Sequence, residues 1–218
     1  MSLKEVEKSL KVISRQLNRT VKMRDKLIRD LGEPISLSSR AIVNIHTHRP
    51  REAENNLKLV EDKLKVLRKV AKGNFSQYLI QPEGEYVEAI TIYSIVSKKT
   101  IPSHKTLNVN GISYILGLLD AIGELRRLIY DRIREEKNHE ALELFTIMEQ
   151  LYTLLSPFAI YEHVAKGVRK KLDVARILVE ETRSAITEEV RRSQILTSID
   201  RFLKAISKED EYKERYEP

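Results

Sequence analysis

The segment LGLLDAIGEL, Leu116–Leu125, is apolar except for two carboxylates, Asp120 and Glu124. Because these acids are four residues apart, a helix would place them one turn apart on one face. Like charges at this spacing repel each other, and burial strengthens the repulsion by lowering the local dielectric. The segment therefore predicts a largely apolar helix whose acids, if buried, need protonation, a basic neighbour or a bound cation.

The same helical period dominates the rest of the chain. Apolar residues recur at alternating steps of three and four in two series, Leu3, Val6, Leu10, Ile13, Leu17 and Leu57, Val60, Leu64, Leu67, Ala71. The seven glycines and six prolines lie mostly between segments of helical length. Strand-like alternation occurs only in AITIYSIV, residues 89–96, which we interpret as helix because its neighbours are helical.

These patterns predict an all-α, single-domain bundle of about seven helices. The helices are expected at about residues 2–31, 35–48, 51–72, 83–99, 111–135 and 138–155, with one or two more over 160–206. We expect one helical domain over residues 1–206, followed by a polar C-terminal tail over residues 207–218.

Composition limits the classes of function. Lys and Arg outnumber Asp and Glu by 39 to 32, and the net charge of +7 is compatible with an anionic partner. The chain has no cysteine, which excludes disulfides, thiolate metal sites and cysteine nucleophiles. No apolar run approaches the roughly 20 residues of a membrane-spanning helix. We therefore expect a soluble cytoplasmic protein with no membrane partner.

A second carboxylate pair, Glu85 and Glu88, lies in EGEYVEAITIYSIV, residues 83–96. As a helix this segment is apolar nearly all round, which is typical of a buried helix. No Lys or Arg lies between Gln81 and Ile92, so the two acids need partners from elsewhere. Two such helices could converge on one metal, and an all-oxygen ligand set suits Mg²⁺ or Mn²⁺.

Spacing alone leaves simpler explanations open. Asp120 and Glu124 also fit a solvated stripe in which Glu124 pairs with Arg127. Glu85 and Glu88 also fit the start of a helix, where acidic residues interact favourably with the helix dipole. The spacing of the acids therefore does not by itself establish a metal site.

Both acidic segments resemble the translin family, and within it translin-associated factor X, the catalytic type. EYVEAITIYSIV, residues 85–96, and ISYILGLLDAIGELRR, residues 112–127, carry the resemblance. LSSRAIVNIH, residues 37–46, and VRKKLDVARILVEE, residues 168–181, are similar to further family segments. The resemblance covers about residues 20–185, and its specificity comes from the two acidic motifs occurring together.

This resemblance implies a translin-like fold that assembles into a closed, largely octameric shell binding single-stranded RNA and single-stranded DNA. It also implies a metal-dependent endoribonuclease whose catalytic, metal-binding acids are Glu85, Glu88, Asp120 and Glu124. A bound Mg²⁺ or Mn²⁺ would position a water and neutralise the scissile phosphate. The compact chain resembles a prokaryotic, archaeal member that forms a homo-oligomer, with a site in every subunit.

Basic residues near Pro50 are candidates for nucleic-acid binding. They are Arg40, His46, His48, Arg49 and Arg51, to which the second acidic segment adds Arg127. A solvated helix end explains the first five equally well, and Arg127 could simply pair with Glu124. Few aromatic residues accompany these basic side chains, so we expect electrostatic, salt-sensitive binding with low sequence specificity.

Three other classes of function each account for part of the sequence. A non-catalytic, translin-like oligomer would bind single-stranded RNA or DNA without cutting it. A di-iron helical bundle calls for two Glu-x-x-His motifs, whereas the chain has one, Glu136 to His139. A purely structural scaffold would account for the heptad-like apolar series, which subunit contacts would explain as well.

Overall fold

A computed structural model describes residues 3–216, with side chains described for residues 3–206. This part of the chain contains seven α-helices, two short 3-10 helices and no β-strand. The α-helices are α1 (Lys4–His46), α2 (Pro50–Val70), α3 (Ile80–Val96), α4 (His104–Leu107), α5 (Gly111–Arg134), α6 (Asn138–Leu155) and α7 (Val168–Tyr216). The 3-10 helices are Gly73–Leu79 and Ser156–Tyr161. The predicted all-α class is confirmed, and so is the helical interpretation of residues 89–96.

The first long helix differs from the sequence prediction. A break near Gly32 and Pro34 was expected because proline lacks an N–H and its ring opposes the carbonyl four residues earlier. Instead α1 continues through Pro34, which is itself buried. Leu31 and Leu37, on either side of the proline, are also buried, and α1 packs against α2 and α3. Burial of this apolar face keeps the two predicted helices joined as one.

The start of α3 also differs from the prediction, by three residues. The helix begins at Ile80 rather than near residue 83, so Pro82 lies in its first turn, where a proline is tolerated. Glu83, not Glu85, is the acid of that first turn. The alternative explanation that placed Glu85 at a helix start is therefore wrong.

The two apolar series predicted from the sequence have opposite environments. Leu57, Val60 and Leu64 of α2 are buried, as expected for a core-facing stripe. By contrast, every residue from Leu3 to Lys26 is exposed, including Leu10 and Leu17, whose side chains are both 59% exposed. The second half of α1 therefore contributes to the core, whereas its first half presents an apolar stripe to its surroundings.

The chain divides into two compact units. The first comprises Met1–Ala121 with Phe158–Lys171, and the second comprises Ile122–Pro157 with Leu172–Pro218. The division into a domain of residues 1–206 and a tail of residues 207–218 stays a prediction. The backbone of α7 continues as a helix to Tyr216, and residues 217 and 218 lie outside the described part of the chain. None of the helices described is both long and apolar enough to span a membrane.

Candidate functional site

The candidate site lies where α3 crosses the first half of α5, within the first unit. A Cβ atom added at Gly117 would lie 2.3 Å from the carbonyl oxygen of Gly84 and 2.7 Å from Cβ of Val87. No side chain fits at such distances, so the two backbones are in close contact because residue 117 is glycine. Glu85 follows Gly84 directly, and Asp120 lies about one turn after Gly117. The crossing therefore brings one acid from each sequence motif to the same place.

The pKa of Glu85 is affected by the nearby charge of Asp120. Burial raises the pKa of the Glu85 carboxyl, and the negative charge of Asp120 raises this pKa further. The positive charge of Lys171 acts in the opposite direction and lowers the pKa of Glu85. Glu85 and Asp120 are both half-buried. The two carboxylates thus form a partly desolvated pair of like charges, the arrangement expected to need a cation.

Lys171 supplies a positive charge at this pair. Its Nζ forms an ion pair with Oδ1 of Asp120, and the two side chains are 38% and 36% exposed. Sequence reasoning did not select Lys171, although it lies in the segment VRKKLDVARILVEE that resembles the family. Since 51 residues separate Lys171 from Asp120, no local spacing rule could have paired them.

The start of α7 is held by a carboxylate cap. Oε1 of Glu162 accepts a hydrogen bond from the backbone N–H of Gly167 at 2.8 Å. Oε2 of Glu162 accepts a second hydrogen bond from the backbone N–H of Arg169 at 2.7 Å. These two bonds lower the pKa of the Glu162 carboxyl. Gly167 has a φ of +91°, a conformation that glycine adopts readily. The cap fixes the first turn of α7 and thereby the backbone position of Lys171.

Glu83 is a third acid of α3, and its surroundings are those of a structural residue. Its carboxylate accepts hydrogen bonds from Nε of Arg68 at 2.8 Å, the backbone N–H of Asn110 at 2.9 Å and Oγ of Ser113 at 3.0 Å. Glu83 is only 3% exposed. A buried carboxylate with three donors is fully paired, so Glu83 ties α3 to α2 and to the start of α5.

The other two predicted acids are Glu88 and Glu124, for which the structure gives less information than for Glu85 and Asp120. Glu88 is half-buried on α3, three residues after Glu85 and therefore on a similar side of the helix. Glu124 belongs to the second unit, where Nη1 of Arg127 lies 3.9 Å from its Oε2. In the part of the chain whose side chains are described, no three or more His, Cys, Asp or Glu residues form a group able to hold a metal ion. The roles of all four acids in metal binding and catalysis stay predictions.

The chemistry of the Glu85 and Asp120 pair nevertheless fits a hard divalent cation. Mg²⁺ in proteins is commonly bound through one or two carboxylates and completes its coordination with water and substrate phosphates. The pair offers this number of acidic ligands from two helices. The ammonium of Lys171 already lies beside one of them. An open site for Mg²⁺ or Mn²⁺ is therefore compatible with the residues present, whereas a closed protein cage is not.

Most of the predicted nucleic-acid-binding residues gather at the turn between α1 and α2. His46 ends α1, His48 has a φ of +57° in the turn, and Arg49 directly precedes α2. Arg51 lies in the first turn of α2, and Arg40 lies further back on α1, where it donates a hydrogen bond to Oγ of Ser36 at 3.1 Å. All are exposed except His46, which is half-buried.

Arg127, the sixth residue predicted to bind nucleic acid, is exposed but belongs to the second unit. The single Glu-x-x-His motif is not carried by one helix. Glu136 lies between α5 and α6 with a φ of +58°, and His139 lies in the first turn of α6. A di-iron site built on this motif is therefore not supported.

Comparison with known proteins places this fold in a family. A family model described as Translin family matches residues 2–186. An uncharacterized protein from Methanocaldococcus jannaschii is 34% identical over 160 residues, which cover 72% of each chain. The structure of AfC3PO in complex with duplex RNA has a TM-score of 0.74 and 27% identity, covering 84% of this chain and 97% of that chain.

The crystal structure of apo-NeC3PO has a TM-score of 0.71 and 19% identity, covering 83% of this chain and 96% of that chain, and so supports the fold alone. The family model spans both acidic motifs and the start of α7, which are the segments that form the candidate site. The chain belongs to the translin family.

Proposed function

We propose that this protein is a metal-dependent endoribonuclease that binds RNA as a homo-oligomer and hydrolyses single-stranded RNA. The observation that carries the proposal is the meeting of Glu85 and Asp120 at the crossing of α3 and α5. These residues occupy the positions of catalytic acids in the X-type proteins that the sequence resembles. The same resemblance supports Glu88 and Glu124 as further metal ligands.

The two acids share one part in this proposal. Asp120 and Glu85 would hold Mg²⁺ or Mn²⁺, which supplies positive charge where negative charge develops on the phosphodiester. In the metal-free protein, burial and the charge of Asp120 raise the pKa of Glu85, and a bound divalent cation would favour the ionised carboxylate. The close contact at Gly84 and Gly117 keeps the two acids on rigid helices, which is how positioned catalytic groups are normally held.

Three observations support RNA as the ligand and an oligomer as the functional form. A structure of AfC3PO, which is 27% identical to this chain over 84% of its length, contains duplex RNA in complex with the protein. The exposed basic residues around Arg49 and Arg51 and the net charge of +7 suit a phosphate backbone. The exposed apolar stripe on the first half of α1 suits contacts between subunits. We include an octameric shell and binding of single-stranded DNA in the proposal.

The test is cleavage of labelled RNA, both single-stranded and duplex, by purified protein in Mg²⁺, Mn²⁺ or EDTA. The variants are Glu85→Gln and Asp120→Asn, with Asp62→Asn as a control because the Asp62 side chain on α2 is 73% exposed. We expect metal-dependent cutting of single-stranded RNA that falls by about 100-fold or more in each site variant. RNA binding should persist in both variants. Equal cleavage in EDTA, or full activity in both site variants, would contradict the proposal.

One observation favours a second function, a non-catalytic RNA-binding oligomer. The ion pair between Lys171 and Asp120 already neutralises one of the two acids without a metal. In this second function the ion pair is structural and the two acids form no reaction centre. RNA binding without cleavage under every metal condition would favour this second function over the first.

A further inference from the structure

We propose that the ammonium of Lys171 occupies the cation position at Asp120, beside Glu85, before a divalent cation binds. Binding of the cation then displaces the ammonium from Asp120. This inference rests on the proposed function, because it takes Glu85 and Asp120 as ligands of the divalent cation. It adds a residue from α7 to a site that the sequence motifs confine to α3 and α5.

The first argument concerns the place of the ammonium. Nζ of Lys171 contacts Oδ1 of Asp120, and its charge also acts on the carboxyl of Glu85. A single ammonium therefore interacts with acids from two crossing helices. A divalent cation bound by the same two carboxylates would compete for the same oxygen lone pairs. The two positive charges would also repel each other at contact distance.

The second argument concerns the balance of charge. The pair carries two negative charges when both acids are ionised, and Lys171 supplies one positive charge. One negative charge at the pair is therefore left uncompensated. A divalent cation would neutralise both carboxylates, so exchange of the ammonium for the cation is electrostatically favourable at this half-buried site.

The third argument concerns how the ammonium can leave. The cap formed by Glu162 fixes the first turn of α7 through Gly167 and Arg169. The backbone of Lys171 itself donates a hydrogen bond to the carbonyl of Gly167 at 3.0 Å. The Lys171 side chain is 38% exposed. A change of side-chain rotamer toward solvent therefore releases Asp120 without moving the helix.

The test measures Mn²⁺ affinity directly, from the free Mn²⁺ signal in electron paramagnetic resonance, with no RNA present. Lys171→Met removes the competing ammonium but keeps an apolar stem of similar length. Lys170→Met is the matched control, because Lys170 is exposed on the same turn and its replacement changes the net charge equally. We expect Lys171→Met to bind Mn²⁺ about two- to fivefold more tightly than the natural protein, as expected from removing one partly exposed ion pair. Lys170→Met should change the affinity by less than about twofold.

Two further variants separate the possible outcomes. Lys171→Gln also removes the positive charge and should bind Mn²⁺ more tightly than the natural protein, which tests the inference even if the Met variant folds poorly. Asp120→Asn should abolish Mn²⁺ binding. If Asp120→Asn abolishes binding but Lys171→Met binds no more tightly than Lys170→Met, the inference is overturned and the proposed metal site stands. If no protein binds Mn²⁺ at millimolar concentration, both the inference and the proposed metal site fail.

Discussion

Glu83 and Glu85 lie two residues apart on α3, yet their surroundings are opposite in kind. Glu83 is 3% exposed and accepts hydrogen bonds from three donors, including the guanidinium of Arg68. Glu85 is half-buried beside Asp120, and both its burial and that neighbouring negative charge raise its pKa. Two residues along a helix turn a side chain by about 200°, so the two acids face different neighbours.

This difference separates a structural acid from a candidate catalytic one. A buried carboxylate that is paired with a guanidinium and accepts hydrogen bonds from two further donors stabilises one arrangement of helices. A partly desolvated carboxylate beside a like charge is destabilising until a proton or cation joins it. Burial alone would have selected Glu83 as the site residue, whereas burial combined with unbalanced charge selects Glu85.

The largest expected change in stability comes from removing the Glu83 carboxylate, which forms a buried ion pair with Arg68. Glu83→Ala leaves the Arg68 guanidinium, whose side chain is 14% exposed, without its carboxylate. We expect the free energy of unfolding to fall by about 3–5 kcal/mol, the usual result when one partner of a buried ion pair is removed. Urea unfolding followed by circular dichroism measures this change.

The exposed pair formed by Glu61 and Lys65 on α2 provides the control, because both side chains are accessible to water. Glu61→Gln should produce little measurable change in the urea midpoint. The double variant Arg68→Met/Glu83→Leu should lose less stability than Glu83→Ala, since it leaves no unpaired buried charge. A Glu83→Ala protein as stable as the natural one would show that Glu83 is not the structural acid described above.

A smaller effect is expected at the contact that brings Glu85 to Asp120. Gly117→Ala places a methyl group 2.3 Å from the carbonyl oxygen of Gly84, so α3 and α5 must move apart. We expect a loss of about 1–3 kcal/mol, as for other overpacked contacts. The separation should also weaken Mn²⁺ binding, provided that Glu85 and Asp120 bind the metal together.

Gly123→Ala on the same helix is the matched control. Its Cβ would have a neighbour no closer than Cδ1 of Leu178 at 3.9 Å, which is ordinary van der Waals contact. Alanine is favoured over glycine within a helix, so this variant should be unchanged or more stable by about 0.5–1 kcal/mol. Equal effects of the two substitutions would contradict a specific role for the contact at Gly117.

The smallest expected effect concerns the pH dependence contributed by Glu85. Because the pKa of Glu85 is raised in the folded protein, its contribution to stability is complete below the unfolded pKa and is lost as the pH rises through the folded pKa. Glutamine does not ionise, so Glu85→Gln removes this loss of stability at high pH. In metal-free buffer at pH 7 the variant should melt about 1–2 °C higher than the natural protein, and the difference should vanish near pH 4.

Thermal unfolding between pH 4 and pH 8, with EDTA present, measures this difference. Asp62→Asn controls for removing an exposed carboxylate. A Glu85→Gln variant that melts at a lower temperature at pH 7 would show that Glu85 is stabilised by its neighbours, as Glu83 is. The contrast between the two acids would then disappear.

Much of this architecture could be predicted from the chain itself. The positions of α2, α5 and α6 follow mainly from apolar periodicity, because each helix buries a regular stripe, and glycine or proline marks only some of their ends. The continuity of α1 through Pro34 could not be predicted, since it depends on burial against α2 and α3. Tertiary packing there outweighs the local preference of proline to interrupt a helix.

The candidate site divides in the same way. The acids of α3 and α5 were visible as carboxylates in apolar surroundings at helical spacing. The sequence did not predict that Glu85 lies near Asp120, because their proximity depends on the close contact of Gly84 with Gly117. The structural role of Glu83 depends on Arg68, Asn110 and Ser113, which are 15, 27 and 30 residues away in the chain.

The sequence by itself determined the helical class, the translin family and the two acidic motifs, since each is written in the order and spacing of neighbouring residues. Only the tertiary structure separated Glu83 from Glu85 and brought Lys171 to Asp120. Charge pairing depends on distance through space and on local burial, and helix crossing sets both quantities. A periodic sequence specifies which face of a helix is apolar, but packing decides which charges meet there.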